Sequence, residues 1–194
     1  VLSDEIYRRF LYEGEFASIA SLPGMKPQTI ILDGFSKTYA MTGWRLGYGV
    51  MRADLATHVA RLMTNSNSCT ASFTQVAGIE ALRGDQTSVE KMCAEFKRRR
   101  DLMVAGLNQI KGFSCRMPKG AFYAFPDIRS TGLTDEVFAE RLLTEERVAV
   151  IPGSSFGASG VGHVRICYAT SEENLREALV RIGRFVAKAR GVTA

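Results

Sequence analysis

Six side chains have the types and spacing to do chemistry together. Asp4 and Tyr7 stand where an apolar, strand-like start gives way to polar residues. Ser36 and Lys37 lie in the loop after the next strand-like run, and Arg45 follows eight residues after Lys37. Arg165 is alone in an apolar segment, between Val164 and Ile166. Each has an ordinary alternative. An Asp after a strand often serves a turn or a cap, a Lys in a polar loop is often only solvated, and Arg165 alternates out of its apolar pattern and would then face water.

Together they meet the needs of one cofactor, pyridoxal 5'-phosphate. Its aldehyde needs an amine to hold it as an imine, and a Lys in a loop at a strand end supplies one. Its ring nitrogen must stay protonated for the ring to take up carbanion electrons, and a buried carboxylate facing it raises the ring pKa. Its phenolate oxygen needs a donor, which a Tyr hydroxyl provides. The phosphate dianion calls for a planar, permanently charged fork, hence Arg rather than Lys, and a substrate α-carboxylate calls for a second. Open α/β sheets bind ligands beyond the carboxyl ends of their strands. Asp4 and Lys37 are expected just beyond such ends on neighbouring strands.

Periodicity and breakers predict the elements that carry these residues. Val1–Ser3 reads as the end of a buried strand, Thr29–Leu32 as a second and Leu46–Met51 as a third, with a polar, Gly-containing loop between the last two. Three helices follow. The first carries Leu55, Val59, Leu62 and Met63; the next carries Phe73, Val76 and Ala77 and stops near Gly84; the last runs from about Thr87 to Asn108 and is expected to bend at its basic run. The pattern changes at Lys111 and Gly112. Phe113–Met117, Ala121–Phe125, Val148–Ile151 and His163–Tyr168 read as strands, Thr134–Glu145 and Glu172–Ala189 as helices, and Pro152–Gly162 as a small-residue loop. Ser171 suits an N-cap, with Glu172 and Glu173 in the positive first turn. Residues 1–108 are thus expected to belong to a larger domain and residues 109–194 to a small α+β domain.

Bulk properties exclude several classes. Apolar residues at 46% and charged residues at 23% give an ordinary globular balance. The net charge of +5 raises nucleic-acid binding. However, the basic run Lys97–Arg100 lies between Phe96 and Leu102 and reads as the wet face of a helix, without the stacking aromatics that usually accompany such patches. Cys69, Cys93, Cys115 and Cys167 show no paired spacing, so no metal cluster is expected. Each lies in or beside an apolar segment, which predicts buried free thiols in a reducing compartment. No apolar run approaches the roughly 20 residues that span a bilayer, and no signal-peptide pattern occurs, so a cytoplasmic location is expected. The chain begins without Met inside a strand-like segment, which suggests a cut chain.

Five stretches carry a family resemblance: DEIY at 4–7, GFSKTYAMTGWRLGY at 34–48, PKGAFYAF at 118–125, VAVIPGSSFG at 148–157 and HVRICYATSEENL at 163–175. In order and spacing they resemble the fold-type I, class I/II pyridoxal-phosphate-dependent aminotransferases, nearest to the aspartate aminotransferase-like branch. The segment from Ser36 to Tyr48 is the most specific of them. The resemblance implies an α/β fold of the aspartate aminotransferase type, incomplete because the amino-terminal half is absent, with a small α+β carboxy-terminal domain. That absent half would hold the phosphate loop, the aromatic that stacks on the ring and much of the central sheet. Without it, residues 1–50 are expected to expose a sheet edge and an apolar face.

The resemblance also implies roles. Lys37 would hold the cofactor and then shuttle the proton. Asp4 would pair with the ring nitrogen, Tyr7 would bond the phenolate oxygen, and Arg45, with Ser36, would hold the phosphate. Arg165 would clamp the substrate α-carboxylate, Gly43 would supply a turn and Trp44 packing. Gly34 departs from the pattern, since many relatives carry a phosphate-binding Ser there. Residues 65–72 resemble a stretch that reaches toward the partner in family dimers. The implied activity is transamination between an α-amino acid and a 2-oxo acid by a homodimer, with neither nucleic acid nor membrane as partner. Two alternatives stay open: a β-lyase using the same residues, and an inactive fragment acting as a structural module. The chain by itself is expected to have little or no activity.

Overall fold

The computed structural model describes residues 1–191; the last three residues assigned above to the small domain, 192–194, lie outside the described residues. The chain packs as two compact units, Val1–Cys93 and Ala94 onwards, and the division falls inside a single helix.

The first unit is built on a three-stranded sheet of β1 (Leu2–Asp4), β2 (Ile30–Gly34) and β3 (Gly47–Val50), in that order. β1 and β2 run parallel with Asp4 opposite Leu32, so their carboxyl ends share one edge. β3 returns antiparallel, with Gly47 opposite Gly34. β2 therefore runs two residues past the predicted Leu32, and Asp33 belongs to the strand rather than to the loop. Helices α1 (Ala53–Ser66), α2 (Ser72–Arg83) and α3 (Thr87–Gln109) follow.

Phe10, Phe35, Met41 and Val89 form the apolar centre of this unit. Val1, Leu2, Leu32 and Val50 remain exposed, which corrects the buried reading of the first strand and agrees with the apolar face expected for residues 1–50. The α2 stripe is reversed. Thr74 and Gly78 are buried, while Phe73, Val76 and Ile79 face outward, because Gly78 lets Leu46 and Phe35 approach where a side chain would collide.

The second unit holds a sheet in the order β4 (Tyr123–Ala124), β6 (Val164–Cys167), β5 (Ile151–Pro152), all antiparallel. Helices α4 (Asp135–Glu146) and α5 (Glu172–Ala189) supply Phe138, Leu142, Ile182 and Phe185 to a core shared with Met103, Leu107 and Val164, all fully buried. Both helices start at the hydroxyl caps that the sequence offers. Thr134 accepts from Val137 N–H and Ser171 from Asn174 N–H.

Four further expectations need correction. The predicted strand Phe113–Met117 shrinks to one bridge, Ser114 to Asp127, because the Asn108 amide takes both backbone groups of Cys115, at 2.8 and 2.9 Å. The predicted strand Val148–Ile151 keeps only Ile151. Arg147 turns left-handed (φ 58°) to end α4, and Val148 N–H bonds back to Leu142. Of the four free thiols only Cys115 is buried; Cys93 is half-buried with its Sγ donating to the Arg9 carbonyl, and Cys69 and Cys167 are exposed. The basic run lies in one unbroken helix and is not uniformly wet: Arg98 and Arg99 pair with Glu95, while Arg100 is buried against Asp101 and the Pro118 carbonyl.

Candidate active site

Asp4 is the last residue of β1. Its Oδ1 accepts from Ile6 N–H at 3.1 Å, which starts a turn through Tyr7 that closes when Phe10 N–H meets the Tyr7 carbonyl at 2.8 Å. Asp4 is exposed and Tyr7 is half-buried. The other Asp4 oxygen has no partner among the described residues.

The loop from Phe35 to Leu46 is a second closed structure. Phe35 accepts from both Tyr39 and Met41 N–H, Ala40 N–H bonds the Lys37 carbonyl, and Phe35 N–H returns to Leu46. Phe35, Thr38 and Met41 point inward and are nearly fully buried. The Phe35 ring packs against Tyr39 and Tyr48, with centroids 5.5 and 5.9 Å away. Ala40 and Arg45 take left-handed backbone angles (φ 53° and 55°) to close the turn, a local cost that the buried anchors offset. Ser36 and Lys37 are left half-exposed at the carboxyl end of β2. Lys37 Nζ and Ser36 Oγ have no hydrogen-bond or ion-pair partner among the described residues. The Arg45 guanidinium is exposed and gives one bond, to the Thr42 carbonyl at 2.9 Å, so most of its donors remain available.

Five of the six candidates, Asp4, Tyr7, Ser36, Lys37 and Arg45, thus stand at one end of one sheet. The neighbouring cavity, about 600 Å³, is lined by Trp44, Arg45, Asn67, Cys69 and Phe73, which brings part of the 65–72 stretch beside the Arg45 loop. Trp44 stacks edge-on to Phe73 at 6.4 Å. Gly34 has a local reason to lack a side chain, since a Cβ there would lie 3.1 Å from both the Gly47 Cα and the Leu46 carbonyl oxygen.

Sequence reasoning missed the group beneath these residues. The buried Asp33 carboxylate accepts from Arg8 at 2.7 Å, from the Tyr48 hydroxyl at 2.8 Å and from Gly34 N–H at 2.7 Å. It ties the turn after β1, which carries Tyr7, to the strand that leads to Lys37. Burial pushes the Tyr48 hydroxyl pKa up, and the adjoining Asp33 carboxylate adds to the rise. The available signal was an acidic residue directly continuing an Ile-Ile-Leu run.

Arg165 lies on β6 of the second unit. It is half-buried rather than water-facing, with its guanidinium over the rings of both Tyr123 and Phe156. The described residues contain no group of His, Cys, Asp and Glu able to hold a metal, and no helix long and apolar enough to cross a membrane.

Known proteins resemble this chain in sequence and fold. The family model for aminotransferase class I and II matches residues 1–182. The Bacillus subtilis (strain 168) protein YugH is 51% identical over 188 residues, covering 97% of this chain and 48% of its own length. An aspartate aminotransferase of Pyrococcus abyssi is 46% identical over 185 residues, 94% of this chain and 47% of its length. The crystal structure of an aromatic aminotransferase from Pyrococcus horikoshii OT3 superposes with a TM-score of 0.93 at 46% identity, over 99% of this chain and 52% of that one. The chain spans about half the length of the curated relatives it matches, and its architecture is a partial aspartate aminotransferase-like fold. By sequence and by structure, the chain belongs to the aminotransferase class I and II family.

Proposed function

We propose that the protein containing this chain transfers an amino group between an α-amino acid and a 2-oxo acid with pyridoxal 5'-phosphate. The observation that carries this reading is the uncommitted Lys37 amine at the carboxyl end of β2, beside the parallel strand that ends in Asp4. The donor set suits the cofactor: an amine, a carboxylate with an oxygen to spare, a hydroxyl and a guanidinium gather at one sheet end. When bound, the cofactor supplies an electrophilic aldehyde and a ring that stabilises negative charge at the substrate α-carbon.

The residues then divide the work. Lys37 Nζ would hold the cofactor and, as a free amine, would accept the substrate α-proton and redeliver it. Asp4 keeps the ring nitrogen protonated through its negative charge. The Tyr7 hydroxyl donates to the phenolate oxygen. Arg45 and Ser36 hold the phosphate, and Arg165 holds the substrate carboxylate. The Asp33 cluster keeps the Tyr7 turn and β2 in register. The same reading makes the complete enzyme a homodimer, as the family resemblance implies.

Relatives bear aspartate and aromatic aminotransferase names, so L-aspartate and L-phenylalanine with 2-oxoglutarate are the first probes. Amino transfer that disappears in Lys37→Ala is expected. Near-normal turnover in that variant sinks the assignment. Release of pyruvate and ammonia without need of an oxo acid would redirect the reading to a β-lyase.

A further inference from the structure

Among the described residues, Arg165 is one of the arginines of this unit that pair with no acid. In the same unit Arg141, Arg176, Arg181 and Arg184 each pair with a glutamate. Arg165 has no acid and no hydrogen-bond partner among the described residues. Two rings hold it instead. Its guanidinium carbon lies 4.5 Å from the Tyr123 centroid and 4.7 Å from the Phe156 centroid. Ring faces attract a guanidinium without using its N–H donors, so its edge stays open to a planar acceptor.

Both rings are themselves fixed. Tyr123 stands opposite Cys167 in the β4–β6 ladder, which puts it on the same sheet face as Arg165, two residues along. Phe156 ends the 3-10 turn Gly153–Phe156. The buried Asp135 carboxylate anchors that turn, accepting from Ser154 N–H at 2.7 Å and Gly162 N–H at 3.4 Å. Gly153 and Gly160 bring the two sides of the loop into backbone contact, where a Cβ on Gly153 would lie 2.0 Å from the Gly160 oxygen. Phe125 meets the Phe156 ring edge-on at 6.0 Å and stacks on His163 at 5.3 Å.

We propose that Tyr123 and Phe156 are positioning residues that hold the Arg165 guanidinium, uncommitted to any protein acid, for the substrate carboxylate. This rests on the function proposed above.

The test uses the full-length holoenzyme, with L-aspartate and L-phenylalanine as donors and 2-oxoglutarate as acceptor. Phe156 is half exposed, so Phe156→Leu spares the core; Tyr123→Leu is the second variant. Each is expected to raise KM for both donors about tenfold, with kcat changed less than about twofold and cofactor absorbance retained. Phe156→Tyr, which keeps a ring face, is expected to restore KM. If Arg165→Ala raises KM while both ring variants keep the wild-type value, the positioning role is overturned and the proposed function stands. The positioning role is also overturned if Phe156→Leu loses kcat and cofactor together and Phe156→Tyr does not recover them. A wild-type enzyme that transfers no amino group from either donor fails the underlying function instead.

Discussion

Replacing Asp33 by Asn removes a buried charge from the strand that leads to Lys37. The carboxylate is 5% exposed and takes donors from Arg8, Tyr48 and Gly34. Arg8 is 43% exposed, so solvent screens its ion pair to roughly 0–1 kcal/mol. The bonds from Tyr48 and Gly34 are charge-assisted and contribute about 1.5–3 kcal/mol each. Asparagine keeps one oxygen, hence one of these two bonds, and turns an amide N–H₂ toward the other donor. The net loss is about 2–4 kcal/mol. Trp44 is the single tryptophan of the chain and sits in the Lys37 loop, so its emission follows this loop during urea unfolding. With a mid-range urea slope of about 2 kcal/mol/M, the midpoint falls by about 1–2 M. The Tyr48 hydroxyl should also titrate at lower pH, because the Asp33 contribution to its raised pKa is gone while burial remains. A midpoint within about 0.3 M of the parent chain would refute the claim that this cluster holds the two turns together.

Two further outcomes are expected. The Asp135 carboxyl is lowered to about 2, first by its hydrogen bond with Ser154, against about 3.9 in an unfolded chain. A depressed acid contributes stability above the unfolded value and loses it as pH falls through the folded one. Asp135→Asn should therefore flatten the acid limb between about pH 4 and pH 2 in a circular dichroism titration, and an unchanged limb contradicts the assignment. Gly153→Ala forces a Cβ to within 2.0 Å of the Gly160 oxygen. A loss of more than about 2 kcal/mol is expected, and an unshifted thermal midpoint would show that the loop opens without cost.

What the sequence made legible was local. The bounds of α5 follow from Ser171, the two glutamates after it and an apolar stripe, and the structure has the helix at Glu172–Ala189. The expectation that Asp4 and Lys37 lie beyond the ends of neighbouring strands agrees with the parallel pairing of β1 with β2, and residue types alone pointed to an amine, an acid and two guanidinium forks. What stayed hidden depends on partners distant in sequence. The Asn108 amide that dissolves the predicted Phe113–Met117 strand is one example. The Pro118 carbonyl that draws Arg100 inward is another. Asp33 was read as a loop residue because its partners, Arg8 and Tyr48, come from two other segments. Likewise the rings around Arg165 come from β4 and a 3-10 turn, and no spacing rule links them to β6.

The central claim is that Lys37 carries the cofactor, and reductive trapping tests it most directly. Full-length protein is incubated with pyridoxal 5'-phosphate, reduced with borohydride and digested, and the labelled peptide is identified by mass. The account predicts a single phosphopyridoxyl adduct on the peptide containing Lys37. An adduct spread over exposed lysines such as Lys97 and Lys119, with Lys37 unlabelled, would contradict it.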